Sequence, residues 1–407
     1  MNVVLMLDKY YPAPQANGNC ARAILNAMDD CHVDVICKVY SEKDYHLLKQ
    51  QGGNIHPVLS KTKSSGENAG AVSRVLQILR KTYQVLLGAR YSRQESNAYI
   101  STFEQIRAGK KIDAIIAVQD PRESVEAACK LKKKYPDTTM IIYDLDTASN
   151  CSMGIIERCF QKWYLHRVYL WEKKVFQQAD LIVHLAQHKR HFSEGKYVPF
   201  LEKTLFQEVP LLNCAAIQNE PQEKQKKTFL YSGSFYKKLR APALVTNFMD
   251  EICNRTESEV LYYVNNEYYP ILSEQYKGRK NVSVSPFVPE AELIKIIEKT
   301  DFLLSLGNKD TEMFPSKVVQ YVSARKPIIH IHQTETDPVI PFLQDYPDKL
   351  LISSNDGFGE NCDRIMEFLN QRREAIPSQY IEKTYEIYSG KYNAEQIRAF
   401  FAKKCEK

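Results

Sequence analysis

The chain has 407 residues, 44% hydrophobic and 26% charged, with a formal net charge of +6. This is ordinary globular composition; it excludes disorder and a membrane-embedded bundle, and the length predicts two hydrophobic cores rather than one. The charge excess is too small for a nucleic-acid footprint, and no helix-turn-helix, zinc finger or aromatic sheet motif accompanies it, so no nucleic-acid partner is expected. Met1 to Leu7 is apolar, but Asp8 and Lys9 end the run far short of a signal-peptide core, and no stretch approaches the roughly 18 to 20 apolar residues of a spanning helix. A cytoplasmic location is expected. The ten cysteines contain no Cys-x-x-Cys pair, which predicts reduced, buried thiols rather than zinc sites or disulfides.

In chain order, the pattern predicts a strand at Val3 to Leu7, a loop with Pro12, Pro14 and Gly18, a helix carrying Ala21, Ile24, Ala27 and Met28, and a strand at Val33 to Val39. From Lys61 to Lys110 there are nine Lys or Arg against three Asp or Glu. Within it Val72, Val75, Leu76, Leu79, Tyr83 and Leu86 recur at helical spacing, with Arg74, Arg80 and Lys81 off the stripe. This 71–87 helix can pack on its own domain or rest on an anionic membrane surface. Strand and helix then alternate: Asp113 to Val118, Glu123 to Lys134, Met140 to Tyr143, a long helix from about Ile156 to Gln178, and Asp180 to Leu185. That helix carries an aromatic and basic cluster, Trp163, Tyr164, His166, Arg167, Tyr169 and Trp171, of which core packing accounts for at least half.

From Glu202 to Lys227 the periodicity fades and a linker is predicted. A second series follows: strand Thr228 to Tyr231, helix Ala241 to Ile252, strands Glu259 to Val264 and Val282 to Ser285, helix Glu290 to Lys299, and strand Phe302 to Leu306. A short helix from Pro315 or Ser316 then leads to a strand at Pro327 to Ile331. On it Val318, Val319 and Val322 share the sheet-facing side, while Ser316, Lys317, Gln320 and Ser323 share the other. Amphipathic stretches near Asp363 to Arg372 and Ala394 to Lys403 complete the chain. The division predicted is residues 1–205, 206–380 and a helical tail, 381–407, packing back on the first domain. Repeated βαβ units make both domains α/β with parallel strands.

Ligands of such sheets bind beyond the carboxyl ends of strands. Three loops there have suitable chemistry. The first, Asp8 to Asn19, contains the Asn17-Gly18-Asn19 turn, where glycine permits close backbone approach. The second is Tyr231-Ser232-Gly233-Ser234-Phe235-Tyr236-Lys237-Lys238-Leu239-Arg240, small residues followed by cations suited to a diphosphate, though without Walker spacing. The third is Glu312-Met313-Phe314-Pro315-Ser316-Lys317, where a helix start also favours an anion.

In these pieces the chain resembles the retaining nucleotide-sugar glycosyltransferases of the GT-B type, especially bacterial exopolysaccharide and capsule enzymes. The resemblance rests on Leu5-Met6-Leu7-Asp8-Lys9-Tyr10-Tyr11-Pro12, on Glu172 through Ala179-Asp180-Leu181-Ile182-Val183, on Ser232-Gly233-Ser234, and on Pro315-Ser316-Lys317 through Lys326-Pro327-Ile328. It implies two Rossmann-like domains across a cleft, the first on the acceptor side and the second holding the donor. The activity implied is transfer of a sugar from a nucleotide diphosphate to a glycan or lipid-linked acceptor in envelope or exopolysaccharide synthesis, by a protein in the cytoplasm or at the inner membrane face. Family members carry Glu, seven residues, and a second Glu before a Gly-Lys-Pro turn. By that count Glu312 contacts the donor sugar, Gln320 stands in for the ribose-binding Glu, and Arg325 for the Gly.

Arg240 and Lys317 are the foremost diphosphate ligands, with Gly18, Gly233, Ser234, Lys238 and Ser316 around the donor. The resemblance implies no metal and no cofactor, the nucleotide-diphosphate sugar being substrate. If a general base exists, Asp120, Asp144 or Asp146 is placed for it at a strand end. Two alternatives stay open: a GT-B-like binding or partner subunit that has lost catalysis, which Gln320 suggests, and a sugar-nucleotide epimerase on the same fold, which would need converging carboxylates and a His.

Overall fold

The structure, a computed structural model, describes residues 1–10, 16–60, 91–145, 147, 149, 160–217, 226–309 and 314–405. It contains two compact units, Met1–Glu208 with Asn393–Lys407, and Val209–Tyr392. The 71–87 stretch, Asp146 and Glu312 lie outside the described residues.

In the first unit, strands β1 (Asn2–Lys9), β2 (His32–Val39), β3 (Ile55–Leu59), β4 (Ala114–Val118), β5 (Thr139–Asp144), β6 (Leu181–Leu185) and β7 (Thr204–Gln207) form a parallel sheet in the order β3-β2-β1-β4-β5-β6-β7. Val3 to Leu7 and Ala114 to Val118 are buried throughout, as continuous apolar runs covered on both faces must be. Pro57 is tolerated in β3 because that strand is at an edge of the described sheet. The helices Arg93–Arg107, Arg122–Lys134 and Gln161–Gln178 supply Tyr99, Phe103, Val125, Trp171, Val175 and Phe176 to one core. On the other face Ile397, from the helix Gly390–Cys405, joins Leu5, Ala21, Ile24, Ile116, Ile141 and Tyr143 around an apolar crevice.

In the second unit, β8 (Thr228–Ser232), β9 (Glu259–Val264), β10 (Val282–Pro286), β11 (Phe302–Leu306), β12 (Ile328–His332) and β13 (Lys349–Ser353) form a second parallel sheet, β10-β9-β8-β11-β12-β13. Leu293 and Ile297 of the helix Glu290–Lys299 share a core with Val318, Val319 and Val322 of the helix Lys317–Ser323. These two helices therefore cover the same face of the sheet and both begin at its carboxyl edge.

The predicted linker hides β7. Three of its four residues are only half-buried, so the strand has no hydrophobic signature. Ser323 was placed on the polar, ligand-facing side of its helix. It is instead buried, with Oγ donating to Val319 O and accepting from Asn213 N, both at 3.0 Å. Asn17-Gly18-Asn19 is not a turn before a helix but the first turn of the helix Ala16–Asn26, because the same small polar residues also suit a helix start. Six of the described cysteines are buried and Cys31 is half-buried; all of these are free thiols.

Candidate functional site

Both sheets reverse their winding between two central strands, β1 and β4 in the first and β8 and β11 in the second. At such a switch point the loops leaving the carboxyl ends diverge and open a crevice for a ligand. In the second unit the loop after β8 carries Gly233, Ser234, Lys238 and Arg240, and the connection after β11 leads through Ser316 into the helix that carries Lys317 and Gln320.

The loop after β8 is pinned at each step. Gly233 N–H donates to Tyr263 O (3.1 Å), Phe235 N–H to the Asn265 amide oxygen (3.0 Å), and the Tyr321 hydroxyl accepts from Ser232 N–H (3.0 Å). A side chain at position 233 would meet the Tyr231 hydroxyl at 3.2 Å, so glycine suits the close packing. The chain then makes a tight hairpin in which Tyr236 and Arg240 exchange backbone hydrogen bonds. Lys237 and Lys238 are exposed on it. The Arg240 guanidinium lies over the Tyr236 ring at 5.6 Å, and its Nε is buried with no hydrogen-bond partner. An orphaned charged donor of this kind is costly unless a ligand supplies the acceptor.

The loop after β11 is stapled to that hairpin. Leu239 O accepts from Lys309 N–H (3.1 Å) and from the Gln333 amide (2.7 Å), which also donates to Gly307 O (2.7 Å). Gly307 has no room for a side chain, since a Cβ would lie 1.7 Å from Asp337 Oδ2. Asp337 is itself buried and 3.3 Å from His330 Nε2, whose Nδ1 meets Ser305 Oγ at 3.0 Å. The helix Lys317–Ser323 spans only two turns, so the site rests on side chains more than on a helix dipole. Lys317 Nζ donates to Gln320 Oε1 (2.9 Å), and Gln320 Nε2 donates to Glu290 Oε1 (3.3 Å). Burial pushes the Lys317 ammonium below its ordinary range, opposed in part by the charge of Glu290.

Arg325 has φ 54°, a left-handed backbone that favours glycine. The guanidinium offsets the strain by donating to Cys214 O (3.2 Å) and Ile217 O (3.1 Å).

The first-unit candidates have different surroundings. Asp120 is exposed at the end of β4, beside the switch point of its own sheet. Asp144 is fully buried, with Oδ2 2.8 Å from His184 Nδ1. His184 is stacked on Phe192 at 3.6 Å and kept neutral by burial. Gly18 is buried. Close to Asp144, burial raises the Glu172 carboxyl to about 8, against the Tyr197 hydroxyl that donates to it. Lys38 is buried between Glu95 (2.6 Å) and Glu123 (3.2 Å). Burial works against its charge, but the two carboxylates outweigh it and hold the ammonium above its ordinary range. In the aromatic cluster only Trp171 is buried, donating to Glu126 (3.0 Å); Trp163, His166 and Arg167 are exposed.

Glu290, Gln333 and Tyr321 escaped the sequence reading. Glu290 reads as an ordinary first-turn carboxylate, Gln333 as loop, and Tyr321 as core; only the folding of β8, β11 and their loops against one another gives them a place in the site. Among the described residues no group of three His, Cys, Asp or Glu side chains is gathered for a metal, and no helix is long and apolar enough to cross a membrane.

No family model and no curated protein matches the sequence. Solved structures do match in fold. Sucrose-phosphate synthase from Thermosynechococcus elongatus aligns with TM-score 0.65 at 10% identity, over 100% of this chain and 99% of that one. A glycosyltransferase from Rickettsia africae aligns at 0.59 and 11% identity, over 98% of both chains. UDP-GlcNAc 2-epimerase from Neisseria meningitidis, solved with UDP-GlcNAc bound, aligns at 0.51 and 10% identity, over 99% of this chain and all of that one. At such identities the likeness is one of fold: this chain is an α/β protein of two Rossmann-like domains, of the GT-B type found in glycosyltransferases.

Proposed function

We propose that this protein is a metal-independent glycosyltransferase that moves a sugar from a nucleotide-diphosphate donor to a glycan or lipid-linked acceptor, with retention of configuration, in exopolysaccharide or envelope synthesis. The observation that carries the reading is the pair of cations at the β8/β11 switch point. Arg240 has a buried Nε without an acceptor, and the Lys317 ammonium donates to a neutral amide, Gln320 Oε1. Arg240 lies on the loop leaving β8 and Lys317 opens the helix that follows β11, the two strands between which the sheet reverses.

In this reading Gly233 and Ser234 give the diphosphate close access to backbone, while Arg240 and Lys317 bind its oxygens. As the sugar–oxygen bond breaks, charge builds on the leaving nucleoside diphosphate, and these fixed cations stabilise it in the transition state. Glu312 remains the sequence-based candidate for the donor sugar, and Asp120 for a carboxylate near the acceptor. Asp144 is the other first-domain candidate, buried 2.8 Å from His184 Nδ1. A binding subunit without catalysis is the second reading, favoured by the amide at position 320.

A thermal-shift panel of nucleoside diphosphates and their sugars on wild type and Arg240→Ala tests the donor site. Stabilisation by one nucleotide, lost in the variant, supports it; no response to any member refutes it. Transfer or hydrolysis of the same donor then separates enzyme from binding subunit, and an epimerised sugar left on the nucleotide would replace transfer with epimerisation.

A further inference from the structure

Gln333 is the first residue after β12, and its side-chain amide lies between the loops that leave β8 and β11. Its Nε2 donates to Leu239 O on the first loop and to Gly307 O on the second, both at 2.7 Å. An amide nitrogen carries two N–H groups, and with a carbonyl on each of them the orientation of the amide is fixed. The backbone of Gln333 is tied in turn to the loop after β13, since Asn355 Nδ2 donates to Gln333 O (3.3 Å).

The contact with Leu239 bears directly on Arg240. Leu239 C=O and Arg240 N–H belong to one planar peptide unit. The oxygen edge of that plane is held by Gln333 and by Lys309 N–H (3.1 Å), and the other edge donates from Arg240 N–H to Tyr236 O (2.9 Å). On the far side of the same residue, Arg240 O accepts from Tyr236 N–H (3.0 Å). The backbone on both sides of Arg240 is thus set before any ligand is present, with the guanidinium over the Tyr236 ring and the buried Nε without an acceptor. Tyr236, Lys237 and Lys238 are exposed, so hydrogen bonds rather than burial hold the outer part of this hairpin. Without the Gln333 amide, Leu239 O keeps the Lys309 N–H, but the link that ties this carbonyl to Gly307 is gone.

We propose that Gln333 is a positioning residue, which holds Arg240 ready for the diphosphate, so that the loop after β12 sets the affinity for the ligand without touching it. A cation already ordered in the free protein need not be ordered on binding, and the affinity is spared that cost. This rests on the donor-site reading. It goes beyond that reading in giving a third strand-end loop a part in the site, through a residue 94 positions from Leu239 in the chain.

The test measures, by calorimetry, binding of uridine, guanosine and adenosine diphosphates and of inorganic pyrophosphate to wild type, Gln333→Met, Gln333→Asn, Arg240→Ala and the double variant Gln333→Met with Arg240→Ala. Circular dichroism melts confirm that each is folded, and the milder Asn variant carries the comparison if the Met variant is not. With the energy of one to two neutral hydrogen bonds ordering the hairpin, Gln333→Met weakens binding of the diphosphate and of pyrophosphate by ~5- to 50-fold. Gln333→Asn, one methylene shorter, loses less. A residue that acts through Arg240 has nothing left to act on once Arg240 is removed, so the double variant binds no more weakly than Arg240→Ala alone. A merely structural role would instead give losses that add. Additive losses, or wild-type affinity in Gln333→Met, overturn the positioning role and leave the donor site standing. Absence of binding by wild type, or wild-type affinity in Arg240→Ala, overturns the donor-site reading and this role with it.

Discussion

Glu172→Gln tests how buried charge is managed in the first domain. Glu172 is fully buried, accepts from the Tyr197 hydroxyl, and has Asp144 nearby. Burial raises its carboxyl from the ordinary 4.5 to about 8. The sign follows from proton counting. Below about 4.5 both folded and unfolded chains hold the proton and nothing is lost; between there and about 8 only the folded chain holds it, so stability falls as pH rises; above about 8 the loss is complete. At ~1.4 kcal/mol per pH unit, the loss is at most about 5 kcal/mol at pH 8 and above, and about 3 kcal/mol at pH 7. A glutamine of nearly the same shape still accepts from Tyr197 and never ionises. The variant is therefore expected to match wild type near pH 4.5 and to exceed it increasingly up to pH 8. Both tryptophans of the chain, Trp163 and Trp171, lie on the helix Gln161–Gln178 that carries Glu172, so urea denaturation followed by tryptophan fluorescence reports on this domain. A stability difference that does not change with pH, or a variant weaker than wild type at pH 8, refutes the reasoning.

Gly307→Ala forces a methyl group against the Asp337 carboxylate and should destabilise the second domain by ~1–3 kcal/mol or more; circular dichroism melts of this variant and of Gly307→Ala with Asp337→Ala, which should recover part of the loss, check it. Arg325→Ala and Arg325→Gly both lose the two carbonyl contacts, but only glycine relieves the φ of 54°, so the glycine variant should be the more stable by about 1 kcal/mol. Equal midpoints would show that the backbone there is unstrained. Lys317 titrates below its ordinary range because of burial, and a bound diphosphate favours its charged form. Affinity for the stabilising nucleoside diphosphate should accordingly fall as pH rises through that lowered pKa, in calorimetric titrations across alkaline pH, and the fall should vanish in Lys317→Met. Lys38→Met strands Glu95 and Glu123 in the interior and should cost about 3–5 kcal/mol at pH 7, read in the same tryptophan assay.

What the sequence by itself determined is the order of elements and the chemistry available at strand ends. Short, mostly apolar runs such as Phe302 to Leu306 read as strands covered on both faces, and their alternation with helices points to parallel α/β sheets. Short or half-exposed elements were not legible: β7 buries too little, and β3 contains a proline.

Tertiary structure decided which polar groups share a site and which serve the interior. Asp120 and Asp144 read alike as carboxylates at strand ends, yet one is exposed and the other is buried beside His184. Ser323 read as a ligand-facing residue until Asn213 was folded against it. Glu290 and Gln320, thirty residues apart, became neighbours only because their helices cover the same face of the second sheet. Strand propensity and periodicity act along the chain, whereas the pairing of charges and hydrogen bonds acts through space; the first is written in sequence order, and the second exists only once β8 and β11 lie side by side.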